Sequence, residues 1–175
     1  MDGVALTPAG EAQAARLADY LDGEPLAAVQ ASPALRARQT ATALTHGRDV
    51  AATTQDALLE VDFGEWTGCA FAELEKDAGW HDWNTRRGSA RAPGGESMGE
   101  VQQRAWRHIA KMALEHEGGT VAMVSHCDWI RAAIAQALGL PLDHLLRFDI
   151  EPASISRLVV GDWGARVMSM NERAA

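Results

Sequence analysis

Residues 120–131, TVAMVSHCDWIR, restrict the fold more than any other stretch of the chain. Gly118-Gly119 breaks the preceding segment, and TVAMVS is then a continuous apolar run of strand length. A strand with one wet face alternates apolar and polar residues, whereas one buried on both faces does not; the unbroken run therefore predicts a buried parallel strand. Parallel neighbours need crossover connections, usually helices, so helical patterns should flank it. Ser97-Met98-Gly99-Glu100 has the capping-box pattern and opens a helix to about His116, with Met98, Val101, Ala105, Ile109, Met112 and Ala113 as an inward stripe. A further helix is predicted from about Asp128 to Leu138.

The first half of the chain repeats this grammar. Thr7 followed by Pro8 predicts a helix start, and apolar Ala14, Leu17, Ala18 and Leu21 continue it. LAAVQASP reads as a short buried strand running into a turn at Ser32-Pro33, followed by a helix to about Thr45 that Gly47 closes. Residues 48–57 are too polar to assign. LLEVDFGEWTG reads as a loop, residues 71–76 and 80–83 as short helices, and RRGSARAPGGE as a mobile stretch. SISRLVV, the turn GDWG and ARVMSM predict a hairpin at a sheet edge. With no repeat or linker, residues 1–175 form one domain, a layered α/β sheet with helices on both faces.

Composition excludes several function classes. With 16 basic and 24 acidic residues the net charge is -8, which repels nucleic acid and anionic membranes. No apolar run approaches the ~18 residues of a membrane span. Two cysteines without C-x-x-C spacing, and an opening MDGVALTPAG without signal-peptide character, predict a reducing, cytoplasmic setting. Templates for α/β-hydrolases, P-loops, dinucleotide folds and zincins are absent, and no metal site is indicated.

Ligands of open parallel sheets collect beyond the carboxyl ends of the strands. SPALRARQTA puts Arg36 there, in the opening turn of a helix whose amides attract anions, with a donor fork that matches phosphate. A solvated surface arginine is the plainer reading, and Arg38 is given it outright. His126 ends the apolar strand, where a functional imidazole would be presented, although a buried histidine bonded to backbone would look the same. Glu60, near Asp62 and Glu65, has the neighbours that raise a carboxyl pKa toward general-acid use, against the alternative of a solvated acidic loop. Cys127 reads as a small apolar filler, since C-x3-R is too short for the cysteine-phosphatase loop.

ALTPAGEAQA, SPALRARQTA, LLEVDFGEWTG, PGGES and VAMVSHCDWIR together resemble the histidine phosphatase superfamily, in its phosphoglycerate-mutase-like branch, over about residues 6–171. The resemblance implies a three-layer α/β/α sandwich with a mixed, mostly parallel sheet. It also implies roles: Arg36 and His126 bind phosphate, His126 beside the nucleophile, and Glu60 donates and accepts the proton. No metal or cofactor is implied. The family's nucleophile stands in an Arg-His-Gly motif ending a first strand, and these 175 residues contain no such motif. Arg107-His108 lies mid-helix, His46-Gly47 reads as a helix end, and His81, His116 and His144 have helical or loop contexts. Cys127 also stands where the family usually has glycine, followed by Asp128; a Cys side chain or an extra carboxylate near the phosphate would narrow or repel substrates, so the resemblance does not carry specificity over.

The resulting expectation is a phosphomonoester phosphatase of a small phosphorylated metabolite, with a phosphohistidine intermediate and its nucleophile outside this sequence. The alternatives are a non-catalytic phosphate-ligand-binding or regulatory protein and, within the family, a mutase. Residues 69–96 are the candidate cap insertion, where Arg86, Arg87 and Arg91 lie near Trp80 and Trp83. Without the first strand its neighbours would expose unpaired edges, so the chain should be marginal, homodimeric through the gap, or completed by further residues.

Overall fold

In the computed structural model, which describes residues 3–174, Gly10 N donates to the Thr7 hydroxyl at 3.1 Å and Pro8 opens helix α1, Pro8–Tyr20. Met1, Asp2 and Ala175, with the domain ends assigned to them, lie outside the described residues. Strand β1 (Ala28–Ala31), helix α2 (Leu35–Thr45) and strand β2 (Ala52–Thr54) follow. Two 3-10 turns, Asp56–Leu58 and Gly64–Trp66, lead to short helices α3 (Phe71–Leu74) and α4 (Ala78–Thr85). Helix α5 spans Met98–Glu115, strand β3 Val121–Val124 and helix α6 Cys127–Leu138; a 3-10 turn at Leu142–Arg147 precedes the antiparallel hairpin of β4 (Ser154–Gly161) and β5 (Gly164–Arg173).

The capping box forms as its sequence requires, with the Ser97 hydroxyl accepting from Glu100 N and the Glu100 carboxylate accepting from Ser97 N. Strands β1, β2 and β3 run parallel in the order β2-β1-β3, Val29 facing Ala52 and Ala122. Strand β2 occupies the stretch too polar to assign: it is an exposed edge, so no apolar pattern marks it. Alternation along β1 builds the layers. Val29 and Ala31 pack with Leu17, Leu21, Ala41 and Leu44 of α1 and α2, while Gln30 points the other way, to His108 and Met112 of α5. Helix α6 packs beside α5 on that second face, completing an α/β/α sandwich.

One feature departs from the reading of TVAMVS as fully buried. Val121–Val124 are only half-buried, whereas three of the four β1 residues are buried. Strand β3 pairs with β1 along one edge and β4 pairs with β5, but β3 and β4 do not pair with each other. Between them lies a cavity of about 1100 Å³. Successive residues of both strands line it, 121–124 and 154–160. Consecutive side chains point to opposite faces, so a cavity touching all of them runs along the strand edges. Leu17 and Leu21 lie on its α1 side, Ile109 and Met112 on its α5 side. The Cys127 thiol reaches Ile150 O at 3.5 Å, which brings the approach to β4 beside the end of β3.

Candidate functional site

Strands β1 and β3 end at the same side of the sheet and deliver Ser32 and His126 there, the Ser32 amide donating to Val124 O at 2.9 Å. His126 is the extended N-cap residue of α6, but its ring makes no capping bond. Its Nε2 lies 2.8 Å from Ser32 Oγ and its Nδ1 3.0 Å from the Arg36 guanidinium, which rises from the first turn of α2. A guanidinium has donors only, so Nδ1 accepts and the Nε2 hydrogen is donated to Ser32. Arg36 thereby selects one neutral tautomer of His126. Ser32 is fully buried and also accepts from Ala34 N at 3.3 Å; the sequence reading took it only as a turn residue.

Glu60 faces the same cavity as Arg36 and His126. One carboxylate oxygen accepts from Val61 N at 3.0 Å and Trp129 N at 3.2 Å, the other from Asp128 N at 3.4 Å. Asp128 and Trp129 lie in the first turn of α6, whose amides have no partner within the helix, so the carboxylate sits on a helix N-terminus. Burial raises the Glu60 pKa above the ordinary carboxylate range, the Asp128 charge adds to that, and the amides oppose it. The loop carrying Glu60 is clamped by residues with no local sequence signal. Arg104 of α5 donates to Ala57 O, Leu59 O and Glu60 O at 3.1, 2.7 and 3.4 Å, Trp129 Nε1 to Ala57 O at 2.7 Å, and Ser125 Oγ to Leu58 O at 2.8 Å.

Asp128, unlike Arg36, Glu60 and His126, does not line the cavity. Its oxygens are held by Arg87 at 2.8 Å and by Arg131, one helical turn further along α6, at 3.4 Å. Cys127 is half-buried, and burial raises its thiol pKa, which fits a filler. The stretch 86–96, expected to be mobile, is pinned. Gly88 N donates to Asp143 at 2.7 Å, Arg91 bridges Ser97 and donates to Gly95 O at 2.7 Å, and Arg87 is buried. Phe63, Trp66, Trp80 and Trp83 pack against one another, three pairs edge to face and Phe63–Trp80 tilted, with centroids 5.3–6.2 Å apart.

The other histidines stand elsewhere. His108 bonds Gln30 at 2.7 Å, His46 and His116 end α2 and α5, His81 bonds Glu75 O at 2.8 Å, and His144 lies in the 3-10 turn before β4. Among the described residues no group of three or more His, Cys, Asp or Glu side chains is arranged to hold a metal ion, and no helix is long and apolar enough to cross a membrane.

The family model described as "Histidine phosphatase superfamily (branch 1)" matches residues 1–173. The chain is 36% identical over 132 residues to the "Bifunctional protein Rv2228c" of Mycobacterium tuberculosis, a match covering 75% of this chain but only 36% of that protein. It thus spans about a third of that relative's length. It is 29% identical over 171 residues to the adenosylcobalamin/alpha-ribazole phosphatase of Salmonella typhimurium, covering 97% of this chain and 85% of that one. Bacillus stearothermophilus YhfR superposes with a TM-score of 0.92 at 26% identity, over 97% of this chain and 86% of that one. With a family model matched over nearly its whole length and a closely superposing fold, the chain belongs to the histidine phosphatase superfamily.

Proposed function

We propose that this chain is the body of a phosphomonoester phosphatase for a small phosphorylated metabolite, working through a phosphohistidine whose imidazole stands on a strand in the β3–β4 cavity. The observation that carries the reading is one of position. The cavity has the edge-lined shape that a strand fills, and Arg36, His126 and Glu60 all line it. Leu6, just before α1, lines it too, so a strand running parallel to β3 would end where the chain turns into α1.

In this reading an imidazole nitrogen of the inserted strand attacks phosphorus in line and the P–O ester bond breaks. The departing alkoxide takes a proton from Glu60, whose raised pKa suits a general acid. Arg36 turns its donors from His126 to the equatorial oxygens, and His126 adds a hydrogen bond. Water then gives a proton to the Glu60 carboxylate and attacks the phosphohistidine; the N–P bond breaks and orthophosphate leaves. Arg87 and Arg131 pair with Asp128, which offsets its repulsion of an anionic ligand. Two thiols without a disulfide agree with a cytoplasmic setting.

The test compares two polypeptides: the 175-residue chain, and the chain preceded by an apolar strand of about six residues ending in Arg-His-Gly. The extended form should hydrolyse an aryl phosphate and form an acid-labile phosphohistidine, while the 175-residue chain binds inorganic phosphate without turnover. An extended form that folds and binds phosphate yet does neither refutes the reading. A second reading, a phosphate-ligand binder without turnover, predicts phosphate binding and inertness in both forms.

A further inference from the structure

Arg87 is the one arginine of the segment after α4 that is buried, and it contacts α6 from 41 positions away in sequence. Its Nη1 donates to Asp128 Oδ2 at 2.8 Å, its Nη2 to Asn84 Oδ1 at 3.1 Å, and its guanidinium carbon lies 5.3 Å from the centre of a Trp83 ring. Arg131 holds the other Asp128 oxygen at 3.4 Å. Side-chain exposure of Arg87 and Asp128 is 9% and 11%, so neither charge is solvated well enough to stand alone. Arg87 Nε is buried with no acceptor, an imperfect arrangement for a side chain whose only task is packing. Asp128 is also one of the two α6 residues whose amides seat Glu60.

We propose that Arg87 is a positioning residue of the site: from the candidate cap it grips the Asp128 carboxylate and, through it, the first turn of α6 that holds Glu60 and presents His126. The proposal rests on the phosphatase reading only for the chemical role of Glu60. Cap and general acid are then one mechanical unit. A change in the aromatic bed of Phe63, Trp66, Trp80 and Trp83 then reaches Glu60 through the Arg87–Asp128 ion pair as well as through the loop and core that they share. The charged and titratable groups around Glu60 are Asp128, Cys127 and Arg131 of α6, Arg104 of α5, Arg36 of α2, the His126 ring and, behind Asp128, Arg87. Among them Asp128 acts directly on the Glu60 carboxylate, and Arg87 balances Asp128.

The test reads the Glu60 carboxyl by carbon-13 NMR titration of the 175-residue protein, with the resonance assigned from Glu60→Gln. Because no turnover is measured, its failure is separate from failure of the phosphatase reading. Arg87→Met leaves Asp128 under-compensated and should raise the Glu60 midpoint by about one pH unit. Asp128→Asn removes the like charge and should lower it by a similar amount, and Arg87→Lys should stay near wild type. Loss of fold moves Glu60 down toward an ordinary carboxylate, opposite to the Arg87→Met expectation, so a rise cannot come from unfolding. An unmoved or lowered midpoint in folded Arg87→Met overturns the proposal. If that variant unfolds, Asp128→Asn, shown to be folded by a cooperative urea transition, decides, and an unmoved midpoint there overturns it.

Discussion

Arg104→Met removes the clamp on the Glu60 loop while keeping most of the stem that packs beside α5. The guanidinium donates to Leu59 O at 2.7 Å and Ala57 O at 3.1 Å, with a long third contact of 3.4 Å to Glu60 O. It also pairs with Glu96 at 2.8 and 3.2 Å. A hydrogen bond from a charged donor is worth about 1.5–3 kcal/mol, and the lower end applies because the Arg104 side chain is 21% exposed. Two good carbonyl bonds at about 1.5 kcal/mol give about 3 kcal/mol; the long contact adds little, and the half-wet Glu96 pair adds under about 1 kcal/mol. We therefore expect a loss of about 3 kcal/mol, read as a lower urea midpoint at unchanged slope. Arg104→Lys, which reaches one carbonyl as a point charge, should recover less than half of it. A loss below about 1 kcal/mol with the slope unchanged would refute the clamp and, with it, the account of how Glu60 is held.

Three further outcomes follow from the geometry. Glu60→Gln keeps acceptors for the Val61 and Trp129 amides but removes a buried ionisation. The folded pKa of Glu60 lies above its unfolded value, so the fold favours the protonated acid and its contribution is lost as pH rises through the folded pKa. The variant should accordingly match wild type near pH 4 and be more stable than it near pH 8, and urea midpoints falling in the reverse order would contradict the burial argument. Arg36→Met should weaken inorganic phosphate binding about 10- to 100-fold by calorimetry, the loss of one or two charge-assisted bonds, while an unchanged affinity would place the anion elsewhere. Gly95→Ala puts a methyl group against Asp62 O and Gly64 N, backbone atoms that cannot rotate away, so the loops carrying Asp62 and Pro93 must part and thermal stability should fall by several degrees.

The parts legible in the sequence were those whose cause is local. The capping box, the Thr7-Pro8 start and the apolar run ahead of His126 each need only neighbouring residues, and each forms. Strand β2 was illegible because an exposed edge strand carries no apolar pattern. Arg36, His126 and Glu60 were legible as candidates from their places after strands and in an acidic loop. What joins them was not: Ser32 reads as a turn residue, and Arg104 and Trp129 reach Ala57 from 47 and 72 positions away. Asp128 shows the same limit. Its position one residue past Cys127 suggested a carboxylate near the anion, whereas Arg131 of the same helix and Arg87 from 41 positions away hold it in ion pairs. The half-buried state of β3, set by an unpaired edge, belongs to the sheet and not to the residues TVAMVS.

The central claim is that the β3–β4 cavity takes a strand, and amide hydrogen exchange of the 175-residue protein tests it most directly. With a peptide of about six apolar residues ending in Arg-His-Gly present in excess, the outward amides of β3 and β4 should become protected together while those of β2 and β5 stay as they were. Protection that fails to appear on either β3 or β4, or that falls equally on β2 and β5, would contradict the account.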